Sequence, residues 1–225
     1  MCRRRRLMTA AVNGSAVTRW WWVRHAPVPN PEGRCYGQQD KDCDVSNDAL
    51  FRHQASMLPR GAVWLTSGLL RAKRTAAALA ACGADCGEPI AEARFNEQHF
   101  GDWQGRTYVE LRSSNSHLFW LGPPAVRVPG GESFVDLFER TRDGILDHTA
   151  RHRGRDIIAV THGGTIRAAI AHAMTLDPEQ AVRFEADNVS VTLIEHYEHA
   201  DPAHAWRVVF TNVMPSEHRA HRALA

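Results

Sequence analysis

The stretch Ile157-Ile158-Ala159-Val160-Thr161-His162-Gly163-Gly164 decides how this chain folds. An unbroken run of β-branched and small apolar residues is the pattern of a strand covered on both faces. The run stops at a histidine and two glycines, and the residues from Thr165 to Met174 then read as a helix. A strand that passes straight into a helix is the unit of an open α/β sheet. The glycines permit close backbone approach, and the first turn of a helix presents unpaired N–H groups. Together they make a site for an anion.

Working outward, the same arrangement recurs near the start of the chain. Arg19-Trp20-Trp21-Trp22-Val23-Arg24 is a short aromatic and β-branched strand ended by Pro27 and Pro29, and His25 lies just past its end. Ligands of open α/β sheets bind at the carboxyl ends of strands. Two histidines at two strand ends are therefore the first candidates for chemistry.

Residues 27–45 form a long irregular loop, which in a compact domain points to function. A helix over 46–58 opens at Ser46 or Asn47, 62–66 is a second strand, and the Ala-rich 69–82 is a helix stopped by Gly83. Residues 95–130 are irregular, with a short helix near 107–113. Ser133 with Asp136 predicts a capping box opening a helix that runs to about 150. Residues 189–194 and 206–210 read as a closing pair of strands. The alternation predicts one α/β domain, a three-layer α/β/α sandwich around a mostly parallel central sheet. Its expected extent is 19–214, with 1–18 a disordered extension and 215–225 a flexible tail.

The chain has 225 residues, enough for one large domain with its own core. Lys+Arg number 27 against 25 Asp+Glu, so neither a polybasic nucleic-acid binder nor an acidic tail is expected. No stretch has the ~18 apolar residues of a membrane helix, which excludes a membrane partner of that kind. Arg3–Arg6 before Leu7–Val12 faintly resembles a secretion signal, but Asn13, Gly14 and Ser15 break the apolar run. Five cysteines without a framework (2, 35, 43, 82 and 86) fit a reducing cytoplasm. Neither Cys82-x3-Cys86 nor the 13 histidines show the spacing of a zinc site.

Six blocks in order carry a family resemblance. They are Arg24-His25; Ser67-x-Leu69-x-Arg71-Ala72-x-x-Thr75; Asn96 to Gly105; Pro129-Gly130-Gly131-Glu132-Ser133; Thr161-His162-Gly163-Gly164; and Asn188-Val189-Ser190. This set resembles the histidine phosphatase superfamily, the phosphoglycerate-mutase-like fold, over roughly residues 20–195. The resemblance implies a metal-independent phosphomonoesterase, without cofactor, acting on a small phosphorylated metabolite through a phosphohistidine, as a monomer or homodimer.

Side-chain chemistry agrees with that implication. A neutral imidazole is a good nucleophile toward phosphorus, and a phosphohistidine is labile to water. His25 is the expected nucleophile. Arg24, Arg71 and His162 are expected to neutralise the phosphoryl group. Glu97, at the family's acid position, is expected to protonate the leaving oxygen and then to activate water. Read singly, Arg71 and Glu97 would be surface residues, His99 a loop or pocket-wall residue, and the three tryptophans core.

The chain departs from the family pattern at Ala26, where glycine is usual, and at Pro27-Val28-Pro29-Asn30. The Asn30 and Gly33–Asp40 region resembles the family's downstream loop one residue short, so Asn30 and Arg34, with Gly163, are the expected substrate-binding residues. Arg34-Cys35-Tyr36-Gly37-Gln38-Gln39-Asp40 is similar to the α-ribazole phosphatases. Mutases of the family carry a long lid insertion and extra cations. Here only about 105–129 can cover the pocket, with Arg127 the sole Arg or Lys between Arg112 and Arg140. A phosphatase is expected, with a phosphoglycerate mutase or a non-catalytic phospho-ligand binder as alternatives.

Overall fold

In the computed structural model, residues 16–113 and 125–214 are described. The strands are β1 (Val17–Arg24), β2 (Val63–Thr66), β3 (Ile90–Ala91), β4 (Asp156–Thr161), β5 (Val191–Tyr197) and β6 (Trp206–Val213). The helices are α1 (Asp48–Met57), α2 (Leu70–Ala81), α3 (Tyr108–Ser113), α4 (Phe134–Arg151), α5 (Gly163–Met174) and α6 (Pro178–Ala181).

Six strands form one sheet in the order β3-β2-β4-β1-β5-β6. β3, β2, β4 and β1 run parallel, and β5 and β6 close the sheet antiparallel. Two apolar clusters cover its faces. Because side chains alternate along a strand, Val23, Trp64, Ile158 and Val160 face α1 and α2 through Phe51, Ala55, Ala76 and Leu79. Trp20, Trp22, Leu65, Ile157 and Ala159 face α4 and α5 through Ile145, Ile166, Ala169 and Ile170. Trp20 and Trp22 stack at 4.9 Å. Fully burying one large apolar side chain stabilises the fold by ~2–3 kcal/mol, so the tryptophan strand anchors the expected three layers.

Boundaries differ from the sequence reading in instructive ways. β1 begins at Val17, not 19, because Val17 and Thr18 pair with Tyr197 and His196 of β5. Residues 1–15 of the expected 1–18 extension, the 215–225 tail and residues 114–124 of the expected pocket cover lie outside the described residues. The capping box is present: Ser133 Oγ accepts from the Asp136 N–H, and Asp136 accepts from the Ser133 N–H. Asn47 caps α1. β3 and α6, too short for a periodic pattern, have no counterpart in that reading. Among the described residues no helix is long and apolar enough to cross a membrane.

Candidate active site

The register of the parallel strands assembles the site. Arg24 of β1 sits beside Thr161 of β4, so the next residue of each strand is a histidine. The His25 N–H donates to Thr161 O (2.9 Å), and the two rings lie 5.1 Å apart. On the other side of β4, the Ser67 N–H donates to Val160 O (3.1 Å) and brings Ser67 Oγ within 2.7 Å of His162 Nε2.

The two histidines are held differently. His25 Nδ1 lies 2.6 Å from Ala26 O. A carbonyl only accepts, so Nδ1 carries the proton and Nε2 keeps its lone pair. His162 Nδ1 accepts from Arg71 Nε (3.2 Å), so its Nε2–H donates to Ser67 Oγ. Both histidines have pKa values well below the ordinary 6.5. Burial is the main cause, followed by Arg71 for each. His162 is thus neutral, and the positive charge it was expected to share rests on the arginines instead.

Arg71 is 0% exposed, although its helix reads as a surface one. Its Nη1 donates to Gln39 O (3.0 Å) and its Nη2 to Gly37 O (2.6 Å), and it lies over the Tyr36 ring at 5.0 Å. Arg24 Nη1 donates to Ala186 O (2.5 Å), while its buried Nε has no partner. The Tyr36 hydroxyl is hydrogen-bonded to Arg24. Within the Arg34–Asp40 segment, nothing in the sequence marks Tyr36 as the side chain that spans the two arginines.

Glu97 sits on the first turn of α5. Its Oε2 accepts from the Gly164 N–H (3.4 Å), and its Oε1 accepts from the Gln98 N–H (3.0 Å). A Cβ at Gly164 would collide with Glu97 Oε1 and Leu137 Cδ2, so any side chain there would displace the carboxylate from this seat. Gly163 has ordinary room. The segment leading to Glu97 is clamped through four consecutive carbonyls. Arg140 Nη1 donates to Arg94 O (2.7 Å) and Asn96 O (2.8 Å), and its Nη2 to Glu97 O (3.0 Å). Thr161 Oγ1 donates to Phe95 O (2.6 Å). Glu132 holds Arg140 bidentately at 2.8 and 3.0 Å. In the sequence Glu132 stands only as a member of the Pro129–Ser133 block and Arg140 is not singled out, since neither adjoins Glu97 in the chain.

Asn188 Nδ2 donates to His25 O (2.8 Å), closing the Asn-x-Ser block over the first histidine. The methyl of Ala26 is fully buried in the core, and the Ala26 N–H donates to Thr75 Oγ1 (2.8 Å). The departure from glycine therefore points away from the site. Asn30 and Arg34 are not drawn to the histidine pair by their contacts. Asn30 bonds both backbone groups of Arg34 at 2.9 Å, and the Arg34 guanidinium binds Glu32 and Gly105 O. His99, expected as loop or wall, accepts from the Gly101 N–H (3.2 Å).

Five candidate side chains thus converge: Arg24, His25, Arg71, Glu97 and His162. Among the described residues no group of three or more His, Cys, Asp or Glu is arranged to hold a metal. The arrangement offers a nucleophilic nitrogen, fixed cations and a carboxylate on a helix N-terminus, which is the equipment for phosphoryl transfer without a metal.

Comparison with known proteins agrees. The family model of the histidine phosphatase superfamily (branch 1) matches residues 20–209. The metal-independent phosphoserine phosphatase of Arabidopsis thaliana is 31% identical over 162 residues, 68% of each chain. The structure of mycobacterial glucosyl-3-phosphoglycerate phosphatase superposes with a TM-score of 0.76 at 26% identity, over 88% of this chain and 99% of that one. The α-ribazole phosphatase from Shigella flexneri (TM-score 0.73, 20% identity, 87% of this chain and 96% of that one) shares the fold.

Proposed function

The chain belongs to the histidine phosphatase superfamily, and we propose that His25 is its nucleophile and Glu97 its proton donor. It is a metal-independent phosphomonoesterase acting on a small phosphorylated metabolite through a phosphohistidine. What remains to assign is which side chain does what.

His25 Nε2 attacks phosphorus while Glu97 delivers its proton to the departing oxygen, so the alcohol leaves neutral. Arg24 and Arg71 balance the phosphoryl charge, and neutral His162 holds Arg71 in place. Glu97, now a carboxylate, takes a proton from water. The resulting hydroxide attacks phosphorus, the N–P bond breaks, and inorganic phosphate departs with His25 in its original tautomer. One observation carries the assignment: His25 Nδ1 is spent on Ala26 O, leaving Nε2 free, whereas both ring nitrogens of His162 are engaged.

Glu97→Gln tests it. The variant should lose ~10²–10⁴-fold on alkyl phosphates, the usual worth of a general acid, and far less on p-nitrophenyl phosphate, whose phenolate leaves without a proton. Equal losses on both would mean that Glu97 only positions. The resemblance of Arg34–Asp40 to the α-ribazole phosphatases makes α-ribazole 5′-phosphate one substrate to include. The four described cysteines are free, which supports placing the enzyme in the cytoplasm.

A further inference from the structure

We propose that Arg167, with the unused edge of Arg24, forms a subsite over Gly163 for a second anionic group of the substrate, making the enzyme selective for phosphomonoesters whose alcohol part carries a carboxylate. This inference rests on the phosphatase reading and goes further by naming the substrate class.

Arg167 lies one helical turn beyond Gly163 on α5. Helical side chains lean toward the N-terminus, and Gly163 has no side chain to block the way. A Cβ at Gly163 would lie 3.6 Å from Arg24 Nε and 3.8 Å from Arg167 Nη1, so the two guanidiniums converge over one bare backbone position.

The two keep donors in reserve where Arg71 does not. Arg71 spends Nε, Nη1 and Nη2 on His162, Gln39 and Gly37. Arg167 spends only Nε, on Phe184 O at 2.7 Å. Among the described residues neither of its terminal nitrogens has a hydrogen-bond partner, and no carboxylate pairs with it. Arg24 Nε is buried and also unpartnered. A half-buried guanidinium without a counter-ion is costly. Burial pulls the Arg167 pKa below its ordinary value, Glu97 and Glu185 pull it up, and Arg24 pulls it down. An arriving anion relieves that cost.

The neighbours decide which anion fits. Arg24 belongs to the phosphoryl group and Glu97 to the leaving oxygen, and both are electrostatic neighbours of Arg167. A group carried by the alcohol, a few bonds from the leaving oxygen, falls within its reach. A carboxylate matches a guanidinium edge with two parallel hydrogen bonds.

Matched substrates test this on the full chain: O-phosphoserine against phosphoethanolamine, and 3-phosphoglycerate against glycerol 3-phosphate. Each pair differs by the carboxylate. The native enzyme should favour the carboxylate-bearing member. Arg167→Met should cut kcat/KM for that member by about 10- to 100-fold, the value of a charge-assisted pair, and cut the other member much less, erasing the preference. Arg167→Lys keeps the charge and should restore part of it, and it covers the case in which the Met variant folds poorly. No preference in the native enzyme, or equal losses on both members of each pair, would overturn the inference and leave Arg167 a brace for the Phe184 segment. Turnover of no monoester at all would instead refute the phosphatase reading.

Discussion

β1 and β4 lie side by side, parallel and in register, and each ends in a histidine, yet the two strand ends are built differently. After His25 the chain turns away through Ala26 and Pro27 into a long loop, and His25 is steadied by its own neighbour's carbonyl and by Asn188. After His162 the chain enters α5 at once, and His162 is steadied by Ser67 and Arg71 from the β2–α2 side. The loop exit leaves one ring nitrogen unclaimed. At the helix exit Ser67 and Arg71 claim both nitrogens, and the helix offers the Gly164 N–H to Glu97. Two similar histidines thus acquire different work from the loop or helix they lead into and from their neighbours across the sheet.

The largest expected effect separates the two directly. His25→Ala should abolish turnover, a loss on the order of 10⁴–10⁶-fold for removing a nucleophile, and with it any covalent labelling. His162→Ala should lose about 10²–10³-fold and still label slowly. Rapid quench with a radiolabelled monoester, then acid and base treatment of the adduct, reads both. Label retained in His25→Ala and absent in His162→Ala would invert the roles.

A smaller effect tests the helix exit. Gly164→Ala should push the Glu97 carboxylate from its seat and lose ~10²-fold in kcat, the scale of an ångström-sized misplacement. The helix itself should be unharmed, since alanine favours a helix over glycine by about 0.5–1 kcal/mol. Gly163→Ala leaves the Glu97 seat untouched, its methyl meeting only ordinary contacts, and on glycerol 3-phosphate, which brings no carboxylate over Gly163, it should lose much less. Calorimetry beside kinetics checks the pair, and a Gly163 variant weaker than the Gly164 variant would contradict the placement of Glu97.

The smallest effect is on stability against pH. His25 and His162 have lowered pKa values, and burial brings His172, whose Nε2 has no partner, down to about 4. Below pH 6.5 the unfolded chain binds protons that the folded chain refuses, so stability falls as pH falls, for His172 until about 4. Glu92 adds a second stage: burial opposes its charge, but Arg94 and His148 bring it down to about 2. Its contribution is present above 4.5 and lost between 4.5 and 2. Tm should begin to fall near pH 6.5, by roughly 2–4 °C per kcal/mol lost. His172→Gln should flatten the first stage, and a Tm constant down to pH 4.5 would count against the buried neutral histidines.

The fold was legible where the chain is strongly patterned. The aromatic Trp20–Val23 run, the Ile157–Val160 run and the Ser133/Asp136 box depend on neighbours a few residues away, and local chemistry settles them. The order of the six motif blocks sufficed for the family and for His25, Glu97 and His162 as candidates. Sequence could not show that Arg71, on an alanine-rich helix that reads as surface, is fully buried behind His162. It could not find Arg140, which reaches the Glu97 loop from 43 residues away, or Arg167, whose lack of a counter-ion is visible only once every neighbour is placed. Asn30 and Arg34 were legible as a loop, but their direction was not: Asn30 turned to the Arg34 backbone, and Arg34 to Glu32 and to the distant Gly105 carbonyl. Tertiary structure decided which histidine keeps a free nitrogen: Ser67 and Arg71, brought across the sheet, claim both nitrogens of His162, whereas His25 takes its tautomer from the carbonyl of the adjacent Ala26 and meets no such partner at Nε2.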